Sequence, residues 1–467
     1  MATIIIIAIL AFGLALIATE NVNKMNKAAV AMFMGVICWL FYIGYGTAFV
    51  VSQHAIDFLS FLSNHGVNAD SVKQFVSDNV FFQYVVDAAE IVLFLLATMT
   101  IVEVLNNNGC FDFLTDWLRT RSPRRYLCLL AIITFTISAN LDNLTTVCLM
   151  LGILHRMIAD DKQRMILGSV IVVAANCGGA FTVIGDVTSL VLWTGGVVSP
   201  TQYAAMAFLP SLAALATVVA LCARSLRDRR LSLVRTAPPY RGDDTVLTRT
   251  QRLLMLLVGI GGLWFIPTFH RITLLPPFVG ALCVLALLWI VNELCNRKLM
   301  GSDQMVGKRQ PMALQYANIQ HMLFFIGLLF TFGAVKETGI LKTFVNWGAP
   351  YASDYIYVTG GVMGLLSSLT GNITTLLFNV TTYSTDWIQM YPEVVSSLGK
   401  DGIYWPLLSF STALGGGLLC FGTLAGTILM RMENIKLRWF VRHMSGKILA
   451  GWGVGMLVFY VVSKCYF

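Results

Sequence analysis

Two stretches of the chain place carboxylates where water should be scarce. Ser138-Ala-Asn140-Leu-Asp142-Asn143-Leu-Thr145-Thr146 interrupts an apolar run over 126–157, and Asn176-Cys-Gly178-Gly179-Ala-Phe-Thr182-Val-Ile-Gly185-Asp186-Val-Thr188-Ser189 interrupts another over 165–192. A charged side chain at bilayer depth costs at least ~2.5–3.5 kcal/mol on insertion scales, so it persists only with a partner or a purpose. Carboxylate, amide, hydroxyl and turned-in backbone oxygens are the ligands of a hard, desolvated cation such as Na⁺ or Li⁺. Softer metals call for Cys or His clusters, which the sequence does not show. Two neighbouring acids are also proton acceptors, and a site that takes either a cation or protons is an exchange site.

A plainer reading stands beside this one. Asp142 and Asp186 also suit the ends of half-helices, and Ser138, Asn140, Thr145, Asn176, Thr182, Thr188 and Ser189 also serve to pack helices together. Glu90, near the start of the run over 81–105, reads as a proton shuttle or as an interface marker.

The elements that must hold these residues are membrane helices. Of 467 residues, 57% are hydrophobic and 12% charged, too apolar a balance for a soluble interior to hide. Continuously apolar runs rich in Leu, Ile, Val, Phe and Gly, without the alternation of barrel strands, predict spans near 2–19, 28–51, 81–105, 126–157, 165–192, 203–223, 253–269, 274–294, 321–346, 355–384, 403–430 and 446–463. Met1–Ala18 lacks a basic start and a small-residue cleavage site, so it is expected to be a first helix. Ten scattered Cys form no C-x-x-C pair and are read as small buried hydrophobes.

The formal charge of +8 is a topology signal and not a nucleic-acid footprint, because six clusters hold 26 of the 32 Lys and Arg. The clusters at 20–27, 106–125, 155–164, 224–252, 296–310 and 431–447 fall on one side if 126–157 and 355–384 each enter and leave by the same face. That side is then cytoplasmic and both termini lie outside. The loops 52–80 and 385–402 on the opposite side carry mostly acids. Residues 224–252, with eight Arg and Pro238-Pro239, read as a cytoplasmic anchor and not as an anionic partner site.

A repeat of about 230 residues is visible. Residues 93–117 are echoed at 324–347 with Gly109 on Gly339 and Trp117 on Trp347, and Ser138–Thr146 is echoed by Ser367-Ser-Leu-Thr-Gly-Asn-Ile-Thr-Thr375. Gly178, Gly179 and Gly185 are echoed by Gly415, Gly416 and Gly422. The charge map starts the two hairpins from opposite faces, as in an inverted repeat. The expectation is an all-α polytopic membrane protein, an inverted-repeat transporter with two re-entrant hairpins and two broken helices. Its parts are scaffold helices at 1–80, a first repeat at 81–223, the connector at 224–252, scaffold at 253–320 and a second repeat at 321–467.

SANLDNLTT at 138–146 and AANCGGAFTVIGDVTSLVLWTGG at 174–196 closely resemble the signatures of NhaD-type sodium/proton antiporters of the ion transporter superfamily. AEIVLFLLATMTIVE at 89–103 is similar to that family's helix before the first hairpin. The resemblance covers most of 81–460. It implies a dimer of two copies in a bacterial inner membrane, a moving transport domain, no cofactor, and exchange of Na⁺ or Li⁺ for H⁺. It places Na⁺ at Asp142 and Asp186 with Asn143, Thr145, Asn176, Thr188 and Ser138, supported by Glu90, Asn140, Thr182 and Asn372. The second half departs from it, with Gly371-Asn372 where an acid is expected before Asn and no carboxylate across Thr412–Thr423. Restoring an acid as Gly371→Asp is expected to leave a working transporter with an altered pH profile or charge per cycle. The competing class is a sodium-coupled carrier of a carboxylate or oxyanion, disfavoured by like-charge repulsion from Asp142 and Asp186. No nucleophile–base pair stands out to support an enzyme, and no soluble domain is long enough for a sensor. Lys336-Glu337 reads as an internal ion pair or a snorkelling pair.

Overall fold

The apolar runs break where the sequence sets glycines and polar residues. The computed structural model describes residues 2–23, 25–120, 122–226, 231–233, 247–296, 316–343, 355–383 and 397–466. Its main helices are α1 (Ala2–Ala18), α2 (Lys27–Gly44), α3 (Phe82–Asn107), α4 (Phe113–Trp117), α5 (Pro123–Ser138), α6 (Asn143–Met157), α7 (Asp161–Ala180), α8 (Val187–Thr194) and α9 (Pro200–Ser225). They continue as α10 (Arg249–Leu256), which runs through a π-turn into α11 (Gly262–Thr273), then α12 (Pro277–Cys295), α13 (Tyr316–Glu337), α14 (Ile356–Thr370), α15 (Asn372–Thr382), α16 (Tyr404–Gly416), α17 (Leu424–Met432) and α18 (Gly446–Tyr466). Among the described residues, nine helices are long and apolar enough to cross a membrane, and no strand forms beyond a single bridge between Ile158 and Leu233. The chain is an all-α polytopic membrane protein.

It divides into two compact units. The first comprises 1–92, 316–356 and 373–399. In it α2 and α13 pack backbone to backbone, with a Cβ at Gly35 falling 2.8 Å from the Gly327 carbonyl oxygen, and Trp39 Nε1 donates to the Phe330 carbonyl at 2.9 Å. Residues 52–80, read from sequence as a loop, are largely helical, with helices at Ala55–His65 and Ser71–Phe75. Glu337 does not turn to its neighbour Lys336. Its carboxylate accepts from Tyr84 OH at 2.5 Å and meets His54 Nε2 at 2.6 Å, which raises the His54 pKa above its usual value.

The second unit comprises 93–315, 357–372 and 400–467. Here the run 126–157 folds as α5 and α6 around a turn at 139–142, and 165–192 as α7 and α8 around a break at 181–186. The later runs give α14, followed by Gly371 and Asn372 in this unit while the rest of α15 belongs to the first unit, and α16 and α17 around a 3-10 turn at Gly417–Leu419. The same contacts recur in both copies. Ser138 Oγ donates to the Ala175 carbonyl at 2.8 Å, as Ser367 Oγ does to Thr412 at 2.9 Å. Asn143 N donates to the Gly185 carbonyl at 3.1 Å, as Asn372 N does to Gly422 at 3.3 Å. Glycine is required where backbones meet: a Cβ at Gly178 would stand 2.3 Å from the Phe135 oxygen, and one at Gly415 would stand 2.0 Å from the Gly364 oxygen. Gly109 and Gly339, aligned by the repeat, both close helices at positive φ, +66° and +75°. Trp347, most of 224–252 and 297–310, and most of 385–402 lie outside the described residues.

Gly415→Ala drives a methyl into backbone that cannot swing aside. A loss of roughly 1–3 kcal/mol is expected, read as a lower midpoint of thermal unfolding in detergent. Gly453→Ala has nothing within 4 Å of the new carbon and is expected to leave that midpoint unchanged or raise it.

Candidate functional site

The first hairpin and the first broken helix each present an acid at the start of a half-helix. Asp142 caps α6, its Oδ2 accepting from Leu144 N at 3.1 Å and Thr145 N at 3.4 Å. Asp186 caps α8, its Oδ1 accepting from Thr188 N at 3.4 Å. Both are 4% exposed or less. The positive end of each half-helix dipole stabilises the carboxylate it carries, and the two caps are joined through their neighbours, Asn143 N donating to the Gly185 carbonyl at 3.1 Å. The plainer reading is therefore physically realised, since both acids are caps. Capping leaves oxygen over: Asp142 Oδ1 has no hydrogen-bond partner within the protein, and neither do the buried Thr145 Oγ1, Thr146 Oγ1, Asn176 Oδ1 and Thr188 Oγ1. A buried polar atom left without a partner costs roughly 1–3 kcal/mol. Five such atoms lie on the first hairpin, α7 and α8, and oxygens of this kind are the ligand chemistry that a hard cation takes.

Sequence-predicted residues divide by what their side chains do here. Asp142, Thr145, Asn176, Asp186 and Thr188 supply the buried oxygens. Asn372, from the second hairpin, reaches the same place and donates from Nδ2 to Asp186 Oδ2 at 3.3 Å. Ser138 and Thr182 are committed to the scaffold: Ser138 holds α7, while Thr182 Oγ1 donates to the Ala139 carbonyl at 2.7 Å and accepts from Gly185 N at 3.0 Å. Asn143 ties the hairpin to Gly185 through its backbone, and Asn140 turns back to the Thr136 carbonyl at 2.8 Å. Glu90 belongs to the other compact unit.

Sequence reading missed Tyr203, fully buried in α9, whose hydroxyl donates to the Ala180 carbonyl at 2.8 Å and shares a 2.7 Å hydrogen bond with Ser409 Oγ in α16. It fixes the end of α7 where that helix breaks. A tyrosine in an apolar helix carries no spacing signal. The sequence also hid why Gly371 is glycine. Asp142, its counterpart, has φ −50°, whereas Gly371 has φ +96°, a left-handed conformation that L side chains enter at a cost. The second tip turns differently, and an acid there meets backbone strain before its charge matters.

A polytopic helical protein whose hairpins pack on interrupted helices around buried acids has the build of a secondary transporter. The family model described as citrate transporter (CitMHS) matches residues 14–395. Sodium/proton antiporter 2 of Arabidopsis thaliana is 31% identical over 81% of this chain and 86% of its own length. The Na⁺/H⁺ antiporters NhaD of Vibrio cholerae, 28% identical over 80% of this chain and 77% of their own, and of Alkalimonas amylolytica, 27% identical over 76% and 73%, align similarly. The chain belongs to the CitMHS family of membrane transporters, in its NhaD-type form.

Gly371→Asp is expected to cost roughly 1–2 kcal/mol through its backbone conformation, read as a lowered unfolding midpoint. Gly371→Ala should show a similar loss, since the strain does not depend on charge.

Proposed function

We propose that this protein exchanges Na⁺ or Li⁺ for H⁺ across the membrane, with the cation and the protons competing for Asp142 and Asp186. The observation that carries the reading is the cluster of buried oxygens around these acids, Asp142 Oδ1, Thr145 Oγ1, Asn176 Oδ1 and Thr188 Oγ1, with no protein partner. A desolvated Na⁺ would take oxygens of this kind, and a proton on either carboxylate would neutralise the same charge. Coupling then follows from electrostatics. Two ionised carboxylates with neither cation nor proton are costly to carry through a low-dielectric region, so the loaded forms cross and the empty ionised form does not. That restriction separates exchange from leak.

In this reading the two matching hairpin and broken-helix units sit in the membrane as inverted repeats and rock past a scaffold in alternating access. Two copies form a dimer in a bacterial inner membrane, with the basic loops cytoplasmic and both termini outside. The names of the relatives support the ions. The citrate in the family's description keeps a sodium-coupled carboxylate carrier as the second reading, opposed by two acids in the site, since an anionic substrate would be repelled.

Proteoliposomes with a preset pH gradient are expected to lose it on addition of Na⁺ or Li⁺, with K⁺ weaker. Sodium-driven citrate uptake without any cation-dependent pH change would move the assignment to the carboxylate carriers. Asp142→Asn and Asp186→Asn separate the site from the cap, because Asn caps helices as well as Asp does while removing the charge. Each variant should elute as a folded protein and exchange no faster than protein-free liposomes. Wild-type exchange by both would reduce the two acids to caps.

A further inference from the structure

Two cavities of the second unit meet along one wall, and their linings differ in chemistry. The larger, about 650 Å³, is lined by Asp112, Asp116, Arg249 and Arg252 together with Trp117 and Leu253. The smaller, about 280 Å³, runs along one face of α5 past Ile132, Ile133, Thr136 and Ile137, with Ile260 opposite, and ends at Asn140 and Leu141. Phe113, Trp117 and Leu256 line both. The charged chamber lies beside α4 and the first turn of α10, which carries Arg249 and Arg252. The apolar groove descends from it for roughly 10 Å of helix rise and stops one residue short of Asp142.

Among the described residues the charges of the upper chamber leave one cation over. Asp112 Oδ2 pairs with Arg252 Nη1 at 3.1 Å, and Asp116 Oδ1 with Arg119 Nη1 at 3.7 Å. Among the described residues no carboxylate pairs with Arg249, which is exposed. Trp117 is 63% exposed and Leu253 57%, and Ile132 at the groove is 61%. Aromatic and basic side chains together mark the headgroup level of a bilayer, and exposed aliphatic ones below them mark its hydrocarbon. Both segments that build the chamber, 106–125 and 224–252, are basic clusters. A ligand that fits both cavities has one negative phosphodiester for Arg249 and an acyl chain for the groove.

We propose that this pair of cavities binds an anionic glycerophospholipid of the phosphatidylglycerol kind, its phosphate at Arg249 and one acyl chain laid along α5 against Asn140 and Leu141. A lipid so placed buttresses the turn that carries Asp142. The end of the 224–252 segment, read from sequence as only a topology anchor, then does take an anionic partner. Two acids in the chamber do not oppose this, since each already faces an arginine.

The test is native mass spectrometry of the full chain in detergent, titrated with phosphatidylglycerol or with phosphatidylcholine of the same acyl chains. Phosphatidylglycerol is expected to bind more tightly, and Arg249→Gln to weaken it about fivefold while barely changing phosphatidylcholine. Ile137→Trp, which fills the groove, should weaken both lipids, and its unfolding midpoint checks that it still folds. A phosphatidylglycerol with a diazirine in its acyl chain should label residues 132–141. Glycerophosphoglycerol, the same headgroup without chains, should not displace it, which separates a lipid from a free phosphate. Equal binding of the two lipids, indifference to Arg249→Gln, displacement by the bare headgroup, or labelling confined to other segments each overturns the proposal. Binding is read without any ion gradient, so its failure leaves the exchange reading standing, and the reverse holds.

Discussion

The rest of this structure depends on one constraint: a helix that stops inside hydrocarbon must find partners for the backbone groups it releases. α7 and α16 both stop, and each is met at its break by a hairpin pressed so close that only glycine fits. Gly178 lies against Phe135 and Gly185 against the Ser138 carbonyl, as Gly415 lies against Gly364 and Gly422 against Ser367. Serine hydroxyls at 138 and 367 then take up carbonyls of the interrupted helices. Close approach, and not flexibility, explains these glycines. The oxygens of the candidate site are a by-product of the same arrangement, because a broken helix and a hairpin tip bring two helix N-termini to one place.

What was legible in the sequence was whatever violated an apolar background. Asp142 and Asp186 stood out by cost, and the paired glycines stood out by repetition, so the hairpins and breaks could be placed before any coordinates. The repeat was legible for the same reason, since the same contacts need the same small residues and hydroxyls in both halves. What stayed hidden were facts of partnership. Nothing in the spacing shows that Glu337 meets His54 and Tyr84, residues more than 250 positions away, or that Tyr203 holds the end of α7. Ser138 and Thr182 looked like ligands because a hydroxyl bound to a carbonyl and a hydroxyl bound to an ion have the same sequence. Residues 52–80 are polar enough to read as a loop, yet their backbone is satisfied most cheaply as helix.

The two copies share contacts but not charge. Where the first has Asp142 and Asp186, the second has Gly371 and Thr423, and Thr423 Oγ1 still caps its half-helix by accepting from Gly426 N at 3.1 Å. The cap survives the loss of the acid, so capping is a sufficient reason for a polar side chain at that position and an insufficient one for a carboxylate. The carboxylates of the first copy need a further reason, and the proposed cation exchange, argued from the unpartnered oxygens on the same elements, is one.

Asn372 shows what the neutral copy contributes instead. Its backbone repeats the contact that Asn143 makes, while its side chain leaves its own repeat and donates to Asp186 in the other. A donor at that point favours a charged Asp186 without adding a second charge. Four acids around one site would each carry the burial cost of at least ~2.5–3.5 kcal/mol, and their mutual repulsion would add to it. With two acids in one copy and a dipole from the other, the exchange proposed above has only two charges to neutralise. The second copy therefore retains the geometry that holds the crossing together and gives up the charge, and the asymmetry of the sequence becomes a division of labour between two similar folds.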